Sequence, residues 1–409
     1  MIFSYYKGLW QQASPLARAT IPWDILRGIT HGAVNVLPAT LALYIAIEYF
    51  DATTLQKSAI AGANFMGLLF SLPYAAWSPV IQHKPLRCAI PMLLSAIALV
   101  FAAFATSSMM YTIAIVIFGI CWNLPIPTLT SIYRDNYTDL IRGRIFGVTL
   151  VFGMMAAIIA QILGGGLLEF TLDRFRHMLV FASLLVLTGA FAILRMPSSS
   201  TTDERPGNPL RAIALVREHH EFRYVLIAWF LFGAANLGLM PQRIEYITRP
   251  EYGLALGPAA VFLIVGVTVD AFRLLAVQVW AYLFDHFEFI KLRIVMTGFL
   301  LAWVLVYFNA ESVPQLVAGA ALQGCAFGGG SIAWTLWVTK FSPPGQTAQF
   351  MAVHTFATGL RGAVAPLFAY WAVDAIGLEA TAWVAAALMA ISMLMLWHLL
   401  HKRRTQSRR

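Results

Sequence analysis

The chain alternates long apolar runs with short polar breaks. A helix needs about 20 mostly apolar residues to cross a bilayer. Twelve such runs are legible, at 25–48, 56–81, 88–106, 110–132, 143–168, 177–194, 223–243, 257–284, 291–309, 312–337, 348–373 and 377–400. Pro38, Pro73, Pro79, Pro125, Pro127 and Pro366 lie within these runs or near their ends, which packed membrane helices tolerate. The breaks are short except for 195–222, which carries Pro197, three serines, two threonines, Asp203, Glu204, Pro206, Gly207 and Pro209. That stretch parts six runs from six. The pattern predicts an all-α membrane protein of twelve transmembrane helices in two pseudo-symmetric six-helix bundles. The expected division is an N-terminal bundle at 1–194, a cytoplasmic central loop at 195–222, and a C-terminal bundle with a basic cytoplasmic tail at 223–409. Residues 210–222 read as a short surface helix, and 1–24 as either a flexible tail or a surface segment held by Tyr5, Tyr6, Leu9 and Trp10.

Composition agrees with lipid as the solvent. Hydrophobic residues make up 59% of the chain and charged residues 11%, against about 25% charged in an ordinary soluble domain. The net charge of +9 does not point to nucleic acid, because the basic residues sit in the breaks between runs. With the N-terminus inside, 20 Lys and Arg fall in inside segments and 5 outside, while Arg27, Arg273 and Arg361 remain within runs. By the positive-inside rule both termini are expected in the cytoplasm. Cys88, Cys121 and Cys325 each lie in an apolar run and read as small buried hydrophobes. No cleavable signal peptide is evident in the first 24 residues.

The two halves echo each other. The first run reads Gly32-Ala33-Val34-Asn35 with Pro38 following, and the seventh reads Gly233-Ala234-Ala235-Asn236 with Pro241 following. The break at 136–146 is matched by that at 340–350, again about 200 residues later. Parallel repeats of this kind are a recurrent transporter plan. With its six-plus-six arrangement, the chain resembles the major facilitator superfamily. The segment Ala281-Tyr282-Leu283-Phe284-Asp285, trailed by Lys291 and Arg293, is similar to that family's Gly-x-Leu-x-Asp signature. The resemblance implies a gating role for Asp285, as part of a cytoplasmic latch. The first-half counterpart, Ile81 to Arg87, keeps its basic residues but has no acid. Ile115 stands where the family's proton antiporters carry arginine. Ala160-Gln161-Ile162-Leu163-Gly164-Gly165 departs from their Gly-Pro-x-x-Gly-Gly pattern. Both departures weigh against proton-driven drug export.

A charge at mid-membrane costs roughly 2.5–3.5 kcal/mol on insertion scales unless it meets water or a partner, so intramembrane charges mark the candidate site. Arg361, between Gly359-Leu360 and Gly362, has two open readings: an anion-binding cation, or a structural group bonded to a neighbouring helix. Asp270 and Arg273, three residues apart, either neutralise each other or form a titrating pair that couples protons to transport. Arg27 is expected to snorkel to the interface. His31 and His354 are the imidazoles suited to proton coupling. Asn35 and Asn236, at matching places in the repeat, are expected to hydrogen-bond substrate. Trp122 and Asn123 are expected to contact it, with Asn64, Gln161 and Gln323 completing the uncharged polar set.

No deeply placed Asp or Glu is read in the first six runs. The core balance is therefore Arg273 and Arg361 against Asp270, a surplus that suits a small organic anion. No Walker-type phosphate loop and no metal cluster is present; Gly164–Gly166 and Gly328–Gly330 read as helix packing or hinge positions. The expectation is a non-enzymatic secondary active transporter working by alternating access, without cofactor or metal. A proton-coupled multidrug exporter and a non-transporting assembly or sensing protein are the alternatives. The expected partners are a small-molecule substrate, protons as candidate coupling ion and the lipid bilayer, with no nucleic acid. The chain is expected to act as a monomer in a bacterial inner membrane.

Overall fold

The computed structural model describes residues 10, 12–198, 216–343 and 346–406. The chain divides into two compact units, Met1–Pro206 and Gly207–Arg409. In the first unit, α1 comprises Pro15–Val34, a π-helical turn at Leu37–Leu41 and Ala42–Glu48. It is followed by α2 (Thr54–Trp77, continued by a tight turn at Ser78–Val80), α3 (Lys84–Ala103), α4 (Ser108–Asn136), α5 (Asp139–Phe170) and α6 (Leu172–Leu194). The second unit holds α7 (His220–Thr248), α8 (Pro258–His286), α9 (Phe289–Tyr307), α10 (Val313–Leu336, continued by Trp337–Lys340), α11 (Thr347–Ile376) and α12 (Leu378–Gln406).

Local chemistry sets the helix ends. Ser14 caps α1 by accepting from the Ala17 amide at 3.1 Å, with Pro15 in the first turn, where its missing N–H costs nothing. Thr53 and Gln56 form a reciprocal capping box at the start of α2. Ser107 caps α4. Gly377, at φ +82°, makes the sharp turn between α11 and α12, a conformation that side chains rarely allow. In α1 the π turn coincides with Pro38, whose ring removes a donor from the helical ladder.

Nine helices among the described residues are long and apolar enough to cross a membrane. The first, second and eleventh helices fall outside that set. They carry the polar content, such as Asp24, Arg27, His31 and Asn35 in α1 or His354, Thr358 and Arg361 in α11. The chain is an all-helical, multi-pass membrane protein. The two units use the same helix pairing. In the first, α1 packs on α5 and α6, α3 on α4 and α6, and α2 on α4. In the second, α7 packs on α11 and α12, α9 on α10 and α12, and α8 on α10. The repeated Gly-Ala-x-Asn sequences serve the matching crossings. A Cβ at Gly32 would overlap the Gly153 backbone of α5, and one at Gly233 would overlap the Arg361 guanidinium of α11.

Three expectations are corrected. Helix α1 starts at Pro15, so residues 15–24 are neither tail nor surface segment. Ala13, Ala17 and Ile21 form a four-residue-spaced stripe buried against Tyr133, Tyr137, Ile141 and Ile145. Helix α7 runs to Thr248, which places Arg243 inside the unit rather than in an outside break. Helix α9 starts at Phe289, so Arg293 is a helix residue, 4% exposed, and no loop charge. Tyr5, Tyr6 and Leu9, and the break residues 199–215 with the first part of the expected 210–222 helix, lie outside the described residues. Residues 216–218 form a helical turn, and 220–222 belong to α7.

Candidate functional site

Polar groups inside the first unit converge on Asp24, a residue absent from the expected set. Its side chain is 1% exposed. Its carboxylate accepts from Arg27 Nε at 3.0 Å, the Tyr133 hydroxyl at 2.7 Å, the Tyr137 hydroxyl at 3.2 Å and the Thr149 hydroxyl at 3.3 Å. These groups come from α1, α4, α5 and the turn before α5. Burial pushes the Tyr137 phenol well above its usual range, and the Asp24 carboxylate pushes it further. The phenol therefore stays a donor. Two corrections follow. The first six spans do hold a buried acid, and Arg27 does not snorkel: it is buried, paired with Asp24, 5.8 Å from the Tyr133 ring centroid. The apolar run began one residue past Asp24, which hid the pair.

Further along α1 the polar stripe emerges. His31 and Asn35, one and two turns past Arg27, are both exposed. The His31 ring stacks on Trp122 of α4, with centroids 4.8 Å apart and planes 9° from parallel. Asn123, the next residue, faces elsewhere: its amide donates to Asn64 of α2 at 3.2 Å and to the Gly119 carbonyl. An imidazole and an amide exposed on a spanning helix are costly against acyl chains, so this stripe suits a water-filled face.

The second unit buries Arg243, Arg293 and Arg361, as the first buries Arg27, Lys84 and Arg87. Asp270 and Arg273 of α8 lie 3.9 Å apart, and Arg273 also donates twice to Ser331 of α10, at 3.1 and 2.9 Å. Both side chains are partly exposed. Arg243 donates to Gln323 of α10 at 2.6 Å. Arg361 donates to the Trp229 carbonyl of α7 at 2.6 Å and to Thr358 at 3.3 Å. His354, two turns earlier on α11, is enclosed by the rings of Trp229, Trp334 and Trp337 at 5.0, 5.6 and 5.2 Å. Arg293 of α9 lies between the rings of Trp229 and Phe232, 3.9 and 4.1 Å from their centroids. Asn236 is buried, and its oxygen has no partner among the described residues. Asp285 is exposed and forms no ion pair among the described residues. The ion pairs at that end of the unit run from Glu288 to Lys291 and Arg403, and from Glu221 to Arg403.

Residues 271–409 match the family model described as Major Facilitator Superfamily. Among solved structures, the nucleoside transporter NupG covers 95% of this chain and 99% of its own at a TM-score of 0.72 and 14% identity. The human organic anion transporter MFSD10 (TETRAN) covers 94% and 100% at 0.65 and 17% identity. A D-xylose–proton symporter covers 93% and 97% at 0.67 and 13% identity. The C-terminal third of the chain is thus similar to that superfamily, and the whole chain shares the fold of these transporters. No curated protein matches its sequence.

The chain has the fold of these solved transporters. Within it, the expected residues fall into separate groups. His31 and Trp122 meet, with Asn35 a turn away on α1. Asp270 and Arg273 meet. Arg361 and His354 meet around Trp229. Asn123 and Asn236 join none of these groups. Sequence reasoning missed Asp24, Arg243, Arg293 and Tyr133. Ser14-Pro15 was the available signal for an earlier start of α1 and hence for Asp24.

Proposed function

We propose that this chain is a secondary active transporter that moves a small organic anion by alternating access. The observation that carries this reading is Arg361. It is 6% exposed, is held by a carbonyl and a hydroxyl, and has no carboxylate partner among the described residues. Its Nε also lacks a partner there. The helix interiors of the second unit carry Arg243, Arg273, Arg293 and Arg361 against Asp270 and Glu245. A substrate bearing a carboxylate or phosphate offsets such a surplus, and charged hydrogen bonds to guanidinium are the strong kind. In the first unit, Asp24 and Arg27 neutralise each other, so no cation-attracting charge is left over there.

Each remaining residue has a part in this reading. In the second unit, Arg273 and Arg361 attract an anionic group and Asn236 hydrogen-bonds polar substituents; in the first, Asn35 offers a hydrogen bond and the Trp122–His31 stack a flat ring face. Asp270, partly exposed beside Arg273, is the favoured proton-coupling group, and Asp285 serves gating. With the buried Lys84, Arg87, Arg243 and Arg293 set aside, the Lys and Arg bias becomes 17 inside to 4 outside. That bias supports cytoplasmic termini, in a bacterial inner membrane. MFSD10 is an organic anion transporter, which is compatible with the same cargo class. A neutral nucleoside is the second reading, favoured by the exposed stacked rings of His31 and Trp122.

The test is uptake into proteoliposomes of the purified chain, using a labelled aromatic carboxylate, a nucleoside, a pentose and a cationic dye. Preferred, saturable uptake of the carboxylate supports the proposal. Uptake of the nucleoside alone favours the second reading, and preferred uptake of the dye overturns both.

A further inference from the structure

The second unit gathers hydrogen-bond donors without acceptors in one buried place. Trp229 of α7 is the centre. The Arg293 guanidinium covers its ring at 3.9 Å, Arg361 donates to its carbonyl at 2.6 Å, and the rings of His354 and Trp337 each lie 5.0 Å from its own. Arg293 is 4% exposed, Arg361 6%, and His354 and Trp337 are fully buried. Among the described residues, Arg293 Nη2, Arg361 Nε, Trp337 Nε1 and both His354 ring nitrogens have no hydrogen-bond partner.

Buried polar groups are nearly always bonded, and each exception calls for a physical explanation. Here the exceptions share one sign. Apart from one imidazole nitrogen, every orphaned atom is an N–H donor, and a neutral histidine can present its donor at either nitrogen. The cation–π contacts cover the faces of the Arg293 guanidinium, but its N–H groups project from the edge. Neither arginine forms an ion pair among the described residues. Two positive charges and several N–H donors, with no acceptor to receive them, select an anion. The surroundings are tight, because the Arg361 guanidinium already fills the space a Cβ at Gly233 would take. That confinement suits a monatomic ion at the orphaned donors.

We propose that Arg293, Arg361, His354 and Trp337 bind a small inorganic anion, chloride in ordinary media, within the C-terminal bundle. The ion joins α9, α10 and α11 by meeting groups from each, and it removes the repulsion between the two guanidinium groups. The site shares Arg361 with the proposed transport function but does not depend on which solute is moved.

The experiment uses the full purified chain in detergent and follows Tm at constant ionic strength as gluconate is replaced by chloride, bromide or acetate. Wild type is expected to gain a saturable stabilisation of at least a few degrees in chloride and bromide. Arg293→Gln is expected to lose that gain, and Arg176→Gln, in the other unit, to keep it. Equal Tm in chloride and gluconate, or an unchanged halide response in Arg293→Gln, overturns the site. A response to acetate without one to halide overturns the inorganic assignment and points to a solute carboxylate. Should Arg293→Gln not fold, iodide titration of wild type decides. Iodide bound beside Trp229 quenches tryptophan fluorescence along a saturable curve that chloride reverses, whereas a linear curve indifferent to chloride overturns the proposal. Absence of organic-anion uptake with the halide response intact removes the transport reading alone. The converse removes this site alone.

Discussion

Replacing Asp24 by alanine removes the acceptor for four donors at once. Arg27 loses its charge partner at 3.0 Å, and the hydroxyls of Tyr133, Tyr137 and Thr149 lose bonds of 2.7 to 3.3 Å. Both members of the ion pair are buried, so the remaining guanidinium is stranded away from water. Breaking a buried pair on one side costs about 3–5 kcal/mol. The hydroxyl bonds, individually about 1.5–3 kcal/mol to a charged acceptor, belong to the same network and do not add to that figure. For a unit of roughly 200 residues melting by itself, each kcal/mol lowers Tm by about 2–4 °C, which gives a drop of about 6–20 °C. The assay is thermal unfolding of the purified protein in detergent, read by tryptophan fluorescence. The decisive comparison is the double variant Asp24→Leu with Arg27→Met. If the cost arises from an uncompensated charge, the neutral double variant is more stable than Asp24→Ala. A single variant within about 2 °C of wild type, or a double variant that melts lower by the sum of the two singles, refutes the reasoning.

Gly32→Leu is expected to part α1 from α5, because the added side chain meets Gly153 backbone that has no flexible end to yield. Tm should fall by at least the equivalent of about 1–3 kcal/mol, whereas the same change at Gly330, where a Cβ meets nothing nearby, should cost little. Gly233→Ala displaces the Arg361 guanidinium directly, and it should reduce solute uptake about as much as Arg361→Gln does. Trp122→Ala should weaken binding of an aromatic solute by about 1 kcal/mol or more, as expected for one lost ring stack, and Trp122→Phe should restore most of it.

Much of the fold is visible in the sequence because lipid demands long apolar runs, and a polar break such as 195–222 cannot hide among them. The helix ends are harder to see. Asp24 fell outside the first run because Arg18, Asp24 and Arg27 lower local hydropathy, although they lie on a helix whose apolar residues Ala17 and Ile21 pack with Tyr133 and Tyr137. Arg361 and Arg273 stood out because each interrupts an apolar run. Arg293 did not, because it follows the basic break at Lys291 and reads there as a loop charge. What makes it a core residue is the pair Trp229 and Phe232, about 60 positions away on α7 and brought over it only by tertiary packing. The Gly-Ala-x-Asn repeat did point to a structural correspondence, the α1–α5 and α7–α11 crossings. The same repeat did not reveal that one crossing is sealed by Gly153 and the other by an arginine side chain.

Everything said about cargo turns on the buried positive charge of Arg361. Uptake of a labelled aromatic carboxylate by proteoliposomes, compared between wild type and Arg361→Gln at matched protein density, measures its contribution. Loss of one charged hydrogen-bonded contact of about 1.5–3 kcal/mol corresponds to a fall of about tenfold or more, with Tm shifted far less than in Asp24→Ala. Uptake by Arg361→Gln equal to wild type, in protein that remains folded, contradicts the anion-transport assignment.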